Sequence, residues 1–411
     1  MAASRIPIDP GHPLSGIATL SMTTATGEAE IVSTDGRILR GSVRPHVGPT
    51  AITRTVFDVS SSTLHMSMAD GIVFTSQIGT VYTSVDRPVV YLDQNHWIDL
   101  ARALSGSSSV TGEKEGACRL LIDLARNGDV ILPLSAAHVV ETTKKGGRQR
   151  TDVARTMVEL SRGWQMRSPL WIRTFELTRL FTDSPSEGPD LADDVFTLTP
   201  EALWSDRMQP RREARVQDLP DGLQGLVDRI VWAAALTDVL LETVPEVSVP
   251  GLEMAAKWAD SFHELAGHMR SNPRAKSYAR DLTRSRFITD MQEDIARAAL
   301  QGGLTTEQFG DWLQEDAEGA FHALPTLGRI REVLHLRLVN ADDTWHRNDL
   351  NDVLHLCSAA GYADVVVGEK KTCNYLRRVE DQVPDGAQVF HRMTEALPTI
   401  ERTVARQAPQ A

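Results

Sequence analysis

The sequence predicts an α/β protein. A parallel sheet with helices around it is split by a long helical insertion and preceded by a small β-rich N-terminal domain. Three observations predict this. Apolar runs at 89–92, 130–134 and 365–367 are too short for helices and alternate with helical periodicity, the grammar of a parallel sheet whose strands are buried on both faces. The first 85 or so residues are poor in Lys and Glu and rich in Ser, Thr and Gly, with Asp-Gly pairs between alternating stretches. The 411 residues are 41% hydrophobic and 24% charged, enough for two or three folded domains and unlike a disordered or fibrous chain.

In the N-terminal region, Asp35-Gly36 lies between 30–34 and 37–40, a type I′ hairpin signal. Leu64, Met66 and Met68 alternate before Asp70-Gly71, with Ile72 and Phe74 after it, a second hairpin. From Pro88 the pattern changes. A strand at 89–92 ends in Asp93, and helical spacing follows over 97–103 and 113–127, with Gly128 as a stop. A second strand is expected over 130–134, then a helix capped by Ser135 that carries Glu141 and stops near Gly146-Gly147. Residues 148–342 read as a mostly helical insertion, with helices at 223–244, 252–269, 274–300 and 327–339 and short strands at 195–198 and 247–249. The α/β alternation resumes with a helix at 348–362, a strand at 364–367, a helix at 371–379 and a strand at 387–390, before a polar tail from 396. The expected boundaries are thus 1–85, 86–147, 148–342, 343–395 and 396–411.

The acids are the chemically informative residues. Asp93 ends the first strand, and parallel sheets bind ligands outside the carboxyl ends of their strands. Glu141 follows the second strand. Asp349 and Asp352, three apart, share one face of the helix before the next strand, and Glu369 lies just past that strand. Carboxylates crowded at one edge repel, and a divalent cation removes the conflict. Asp93, Glu141 and one of Asp349 and Asp352 also have bland readings: a strand-end cap, a solvated helix residue and a helix-dipole partner, respectively. Asp364 precedes its strand and reads as a cap at the opposite edge, and Asp99 as a helix-surface residue. His355, one turn past Asp352, either lines the site or packs. His263 and His268 are five apart, the wrong spacing for a zincin, which needs i and i+4. No phosphate-binding Gly-rich loop and no nucleophile elbow is present.

Tyr91-Leu92-Asp93-Gln94-Asn95-His96-Trp97, Leu134-Ser135-Ala136-Ala137-His138-Val139-Val140-Glu141, Asn348-Asp349-Leu350-Asn351-Asp352 and Ala363-Asp364-Val365-Val366-Val367-Gly368-Glu369-Lys370 together resemble, in that order, the four blocks of PIN-like domain nucleases. The resemblance covers 88–147 and 343–392. It implies a three-layer α/β/α fold and Mg²⁺- or Mn²⁺-dependent hydrolysis of RNA. Asp93, Glu141, Asp352 or Asp349, and Glu369 would be the catalytic metal ligands, and Asn95 a supporting residue. Glu369 departs from the family, where the fourth acid is more often Asp, and the insertion leaves substrate choice open. A toxin, phage-defence or RNA-processing context, with or without an antitoxin-like protein partner, is compatible with the resemblance. A structure-specific DNA nuclease and a non-catalytic binding or scaffold protein are the alternatives.

The net charge of −12, from 43 Lys+Arg against 55 Asp+Glu, argues against coating nucleic acid or anionic membrane through bulk charge. The bases are bunched, however. Lys144, Lys145, Arg148 and Arg150 follow the Glu141 helix, and Lys370, Lys371, Arg377 and Arg378 follow the last acid. Arg270, Arg274, Lys276, Arg280, Arg284 and Arg286 lie in the insertion. The expected substrate contacts are Lys144, Lys145, Lys370 and Lys371. Three scattered cysteines (Cys118, Cys357, Cys373) fit a reducing cytoplasm rather than a disulfide framework. No signal-peptide pattern and no bilayer-length apolar stretch is seen, so no membrane partner is expected. Oligomeric state is not legible.

Overall fold

The computed structural model describes residues 14–42, 51–79, 85–144, 146–182, 194–203, 221–241, 251–340, 342–346 and 348–407. In chain order the elements are β1 (Ile17–Thr23), β2 (Glu28–Ser33), β3 (Ile38–Ser42), β4 (Ile52–Asp58), β5 (Thr63–Met68), β6 (Val73–Gln77) and β7 (Val90–Leu92). Then come α1 (Gln94–Leu104), α2 (Gly112–Asn127), α3 (Ala136–Thr143), α4 (Gly147–Ser161), β8 (Gln165–Met166), α5 (Pro169–Phe181) and β9 (Phe196–Thr197). The helices α6 (Asp221–Leu241), α7 (Gly251–Ser271), α8 (Pro273–Ser277), α9 (Ala279–Gln301), α10 (Thr306–Glu315), α11 (Ala317–His322) and α12 (Pro325–Val339) follow. The chain closes with α13 (Asp349–Tyr362), β10 (Val365–Val367), α14 (Lys370–Val379), β11 (Gln388–Phe390) and α15 (Met393–Gln407). The protein is a mixed α/β chain with an antiparallel N-terminal sheet and a separate parallel sheet.

The chain divides into two compact units: Met1–Val85 with Trp97–Arg167 and Phe196–Pro245, and Asp86–His96 with Ser168–Val195 and Glu246–Ala411. The division runs through 86–147, which the sequence reading keeps in one domain.

In the first unit, the six strands pair antiparallel in the order β3-β2-β1-β4-β5-β6. Alternation puts Leu64, Met66 and Met68 of β5 inward beside Phe57 of β4 and Phe74 of β6. Both Asp-Gly hairpins form, but not as type I′ turns, which need positive φ at both central residues. Only Gly36 (φ 83°) and Gly71 (φ 85°) have positive φ, and Ser33 N–H bonds Arg37 O at 2.9 Å across a three-residue loop. The short polar loop with a left-handed glycine is the bulged alternative. Helix α2 begins with Glu113 and Glu115 and ends at Gly128, whose φ of 81° and N–H bond to Ala125 O close a Schellman-type cap. Ser135 caps α3, its N–H bonding His138 Nδ1 at 3.0 Å.

The strand expected over 130–134 is not a ladder strand. The segment is buried and extended, and Leu134 makes an isolated bridge to Gln165. Pro133 has no N–H to donate, which accounts for the interruption. Asp99, expected on a helix surface, is buried and paired with Lys114 at 2.7 Å.

The second unit contains the parallel sheet β11-β10-β7, with Val365 opposite Val90 and Gln388, and Val367 opposite Leu92 and Phe390. All residues of β7 and β10 are buried, as the apolar runs predict. Helices α13 and α15 pack on β10, and α15 occupies most of the segment read as a polar tail. The helix expected over 274–300 is instead α8 and α9, broken at Tyr278 (φ −104°, ψ 21°). The strand expected at 247–249 lies outside the described residues. Among the described residues no helix is long and apolar enough to cross a membrane.

A Cβ on Gly163 (φ 92°) would sit 2.3 Å from Gln77 O and 2.6 Å from Ser76 Oγ, whereas one on Gly36 would meet nothing within 4 Å. In urea denaturation, Gly163→Ala is therefore expected to cost about 3 kcal/mol, from the clash and the left-handed backbone together, against about 1 kcal/mol for Gly36→Ala.

Candidate functional site

The site is built at the carboxyl edge of the parallel sheet. Because β7, β10 and β11 run the same way, the residues that leave them emerge together. Asp93 N–H bonds Val367 O at 2.9 Å, and Gly368 N–H bonds Phe390 O at 3.0 Å, which holds the three chain exits in register. Asp93, half-buried, follows β7. Glu369, half-buried, stands one residue beyond the matching exit of β10. His391, which sequence reasoning did not single out, follows β11 and faces Glu395 Oε2 at 3.3 Å.

Asp93 and Glu369 interact as like charges. Burial pushes the Asp93 carboxyl above the usual carboxylate range. A backbone hydrogen bond from Gln94 opposes the rise and the charge of Glu369 adds to it. Cys373 registers both acids: burial is the main force pushing its thiol up to about 12, with Asp93 and Glu369 adding to it. Glu369 is oriented by its own helix, Oε2 accepting from Thr372 N–H at 2.9 Å and Thr372 Oγ1 at 3.2 Å as the N-cap of α14.

The other predicted acids are placed differently. Asp349 is buried in an ionic network. Arg337, 2% exposed, donates from Nε to Asp343 Oδ2 at 2.8 Å and from Nη2 to Asp349 Oδ2 at 2.5 Å. Asp349 Oδ2 also accepts from His346 N–H at 2.8 Å. Lys371 Nζ lies 2.6 Å from Asp343 Oδ1, and Tyr375 OH donates to Asp343 Oδ2 at 3.0 Å. The Arg337 guanidinium stands 4.0 Å over the Trp345 ring. Burial works against the charges of Arg337 and Asp343, but their mutual hydrogen bonds outweigh it, holding Arg337 above and Asp343 below their ordinary ranges. Asp349 thus anchors the start of α13.

Asp352 is half-buried in the first turn of α13 and His355 is buried one turn on. Glu141 lies on α3, in the first unit, whereas the other four acids belong to the second. Asn95 is exposed in the first turn of α1. Lys370 is exposed at the start of α14, but Lys371 is half-buried and committed to Asp343. Lys144 is exposed, and Lys145 lies outside the described residues. Asp364 accepts from Val89 N–H at 2.8 Å at the opposite, amino edge of the sheet, as a structural cap should.

The geometry therefore brings Asp93 and Glu369 to one edge and sets Asp349 apart as structural. Among the described residues, no group of three or more His, Cys, Asp or Glu side chains is arranged to hold a metal ion. Two crowded carboxylates fit Mg²⁺ or Mn²⁺ in one respect, since such ions use one or two carboxylates and keep waters and phosphate oxygens as the remaining ligands. Comparison with protein-family models, curated proteins and solved structures returns no match.

Replacing Arg337 with Leu removes the buried partner of Asp343 and Asp349 and leaves only the half-buried Lys371 to face both acids, which is expected to cost about 3 kcal/mol at neutral pH. Asp343 has a depressed pKa in the folded state, so its stabilising contribution is present above the ordinary carboxylate range and fades as pH falls through the lower folded value. The stability gap between wild type and Arg337→Leu should accordingly narrow in acid, as measured by urea denaturation across pH. A gap independent of pH would contradict the ionic account.

Proposed function

We propose that the protein is a PIN-like, Mg²⁺- or Mn²⁺-dependent nuclease that hydrolyses phosphodiester bonds, with RNA as its substrate. The observation that carries this reading is the Asp93–Glu369 pair at the carboxyl edge of a parallel sheet, where burial first, and then the charge of Glu369, raises the pKa of Asp93. A buried acid whose pKa is raised beside a second carboxylate is a feature that clusters at functional sites. Asp93 and Glu369 would hold the cation, with Asp352 the remaining acid of the block. When bound, the cation supplies Lewis-acid stabilisation of the phosphate and an activated water. Asn95 orients Asp93, and Lys370 holds a substrate phosphate beside it. Hydrolysis of this class leaves 3′-OH and 5′-phosphate ends.

A second reading is a non-catalytic nucleic-acid-binding or scaffold protein on the same fold. It is favoured by one observation: no third acid joins the pair among the described residues.

The readings separate in a cleavage assay with labelled structured RNA and DNA in Mn²⁺. The nuclease reading expects wild type to cut RNA in preference to DNA, and Asp93→Asn to lose at least about a hundredfold in rate, as for removal of an electrostatic catalytic group. Equal cutting by both proteins, or none by wild type, would overturn it. A second measurement follows from the sign of the Asp93 shift. An acid whose folded pKa is raised destabilises the fold above that pKa, and the penalty fades as pH falls below the unfolded value. Asp93→Asn should therefore melt higher than wild type at pH 7 in EDTA, and the gain should disappear near pH 3.

A further inference from the structure

Residues 266–280 contain Arg270, Arg274, Lys276 and Arg280 and no acid, in a chain whose net charge is −12. Later bases of the same run are neutralised: Arg280 pairs with Glu332, Arg284 with Glu318 and Arg286 with Asp290. Arg274 and Lys276 are exposed and make no ion pair among the described residues. The helix break between α8 and α9 falls in this segment, and at the break Tyr278 is 61% exposed. Its apolar neighbours Ala275 and Ala279 are buried. The patch is thus a set of exposed cations around one exposed aromatic ring, with nothing apolar beside it to enter a lipid layer.

We propose that Arg270, Arg274, Lys276 and Tyr278 form a docking surface for single-stranded nucleic acid, RNA in the reading above. The proposal rests on the nucleic-acid part of that reading and not on its catalytic part. Arg274 and Lys276, exposed and without an ion pair among the described residues, take the phosphates, with release of counterions. Tyr278 stacks on a base, which any sequence can supply, since every base has a flat π-face. An acidic protein surface would use the cations but leaves the tyrosine unexplained. The patch is an exosite rather than part of the acid edge. Trp258, earlier in α7, contacts Trp345 beside Arg337 with ring centroids 5.6 Å apart. Arg270 lies about 18 Å further along that helix, at about 1.5 Å of rise per residue.

The test is fluorescence anisotropy of the full chain with a labelled single-stranded RNA oligonucleotide, in EDTA and at several salt concentrations. Tyr278→Ala is expected to weaken binding about tenfold. Arg274→Glu/Lys276→Glu is expected to weaken it at least about tenfold and to flatten the salt dependence. Arg402→Glu/Arg406→Glu, with the same change of net charge on exposed α15, should bind within about twofold of wild type. Circular dichroism melts establish that each variant folds. The proposal is overturned if wild type does not bind, if the patch variants bind as wild type does, or if the α15 control loses as much. It is also overturned if the patch variants lose binding only to phosphatidylserine vesicles or to poly-glutamate. With no metal present, failure of the cleavage assay leaves this result standing, and failure here leaves the cleavage result standing.

Discussion

The buried charges around Arg337 hold together the segments that carry the candidate site. One guanidinium ties α12 to the 343–349 loop through Asp343, Thr344 O and Asp349, and Lys371 ties α14 to the same loop. Two cations, Arg337 buried and Lys371 half-buried, thus face two buried carboxylates. Every polar partner has to be present, because a lone buried charge costs far more than a satisfied network contributes. The consequence is geometric: α13 starts where Asp349 is held, and α14 starts at Glu369, so the two helices that flank β10 are fixed at the edge where Asp93 emerges.

Against this neutral network, the Asp93–Glu369 pair is a local electrostatic conflict. Among the described residues neither acid makes an ion pair as Asp343 and Asp349 do, and burial, more than the charge of Glu369, raises the Asp93 carboxyl. The fold keeps Asp93 buried at a cost in stability, beside Glu369 in a register set by backbone bonds between β7, β10 and β11. A cation is the simplest chemical partner for such a pair, and phosphate oxygens the simplest ligands to complete its shell. On the proposed reading, the exposed cations of 270–276 would supply grip without neutralising the acids, which would let an acidic chain bind a polyanion at one surface.

How much of this the sequence discloses follows from physical range. The strands β7, β10 and β11 are legible because burial on both faces forces short continuous apolar runs. The hairpins are legible because Asp-Gly is suited to a left-handed turn position, although the turn type depends on loop length. Residues 130–134 mislead because their apolarity outweighs the one residue, Pro133, that cannot donate to a ladder. The acids are legible as candidates, but their partners are not. Nothing in local pattern distinguishes Asp349 from Asp352, since the distinction is made by Arg337 from the preceding helix. Asp99 looks like a surface residue until Lys114 is folded over it, and Lys370 and Lys371 are separated only by which one turns towards Asp343. The juxtaposition of Asp93 with Glu369 is a product of strand order, which periodicity does not encode.

The central claim is that Asp93 and Glu369 together form a cation site. Electron paramagnetic resonance of Mn²⁺ titrated into wild type, Asp93→Asn and Glu369→Gln tests it without requiring a substrate. The account predicts that wild type binds Mn²⁺, that Mg²⁺ displaces it, and that either substitution abolishes the binding. Equal Mn²⁺ binding by all three proteins, or none by wild type, would contradict it.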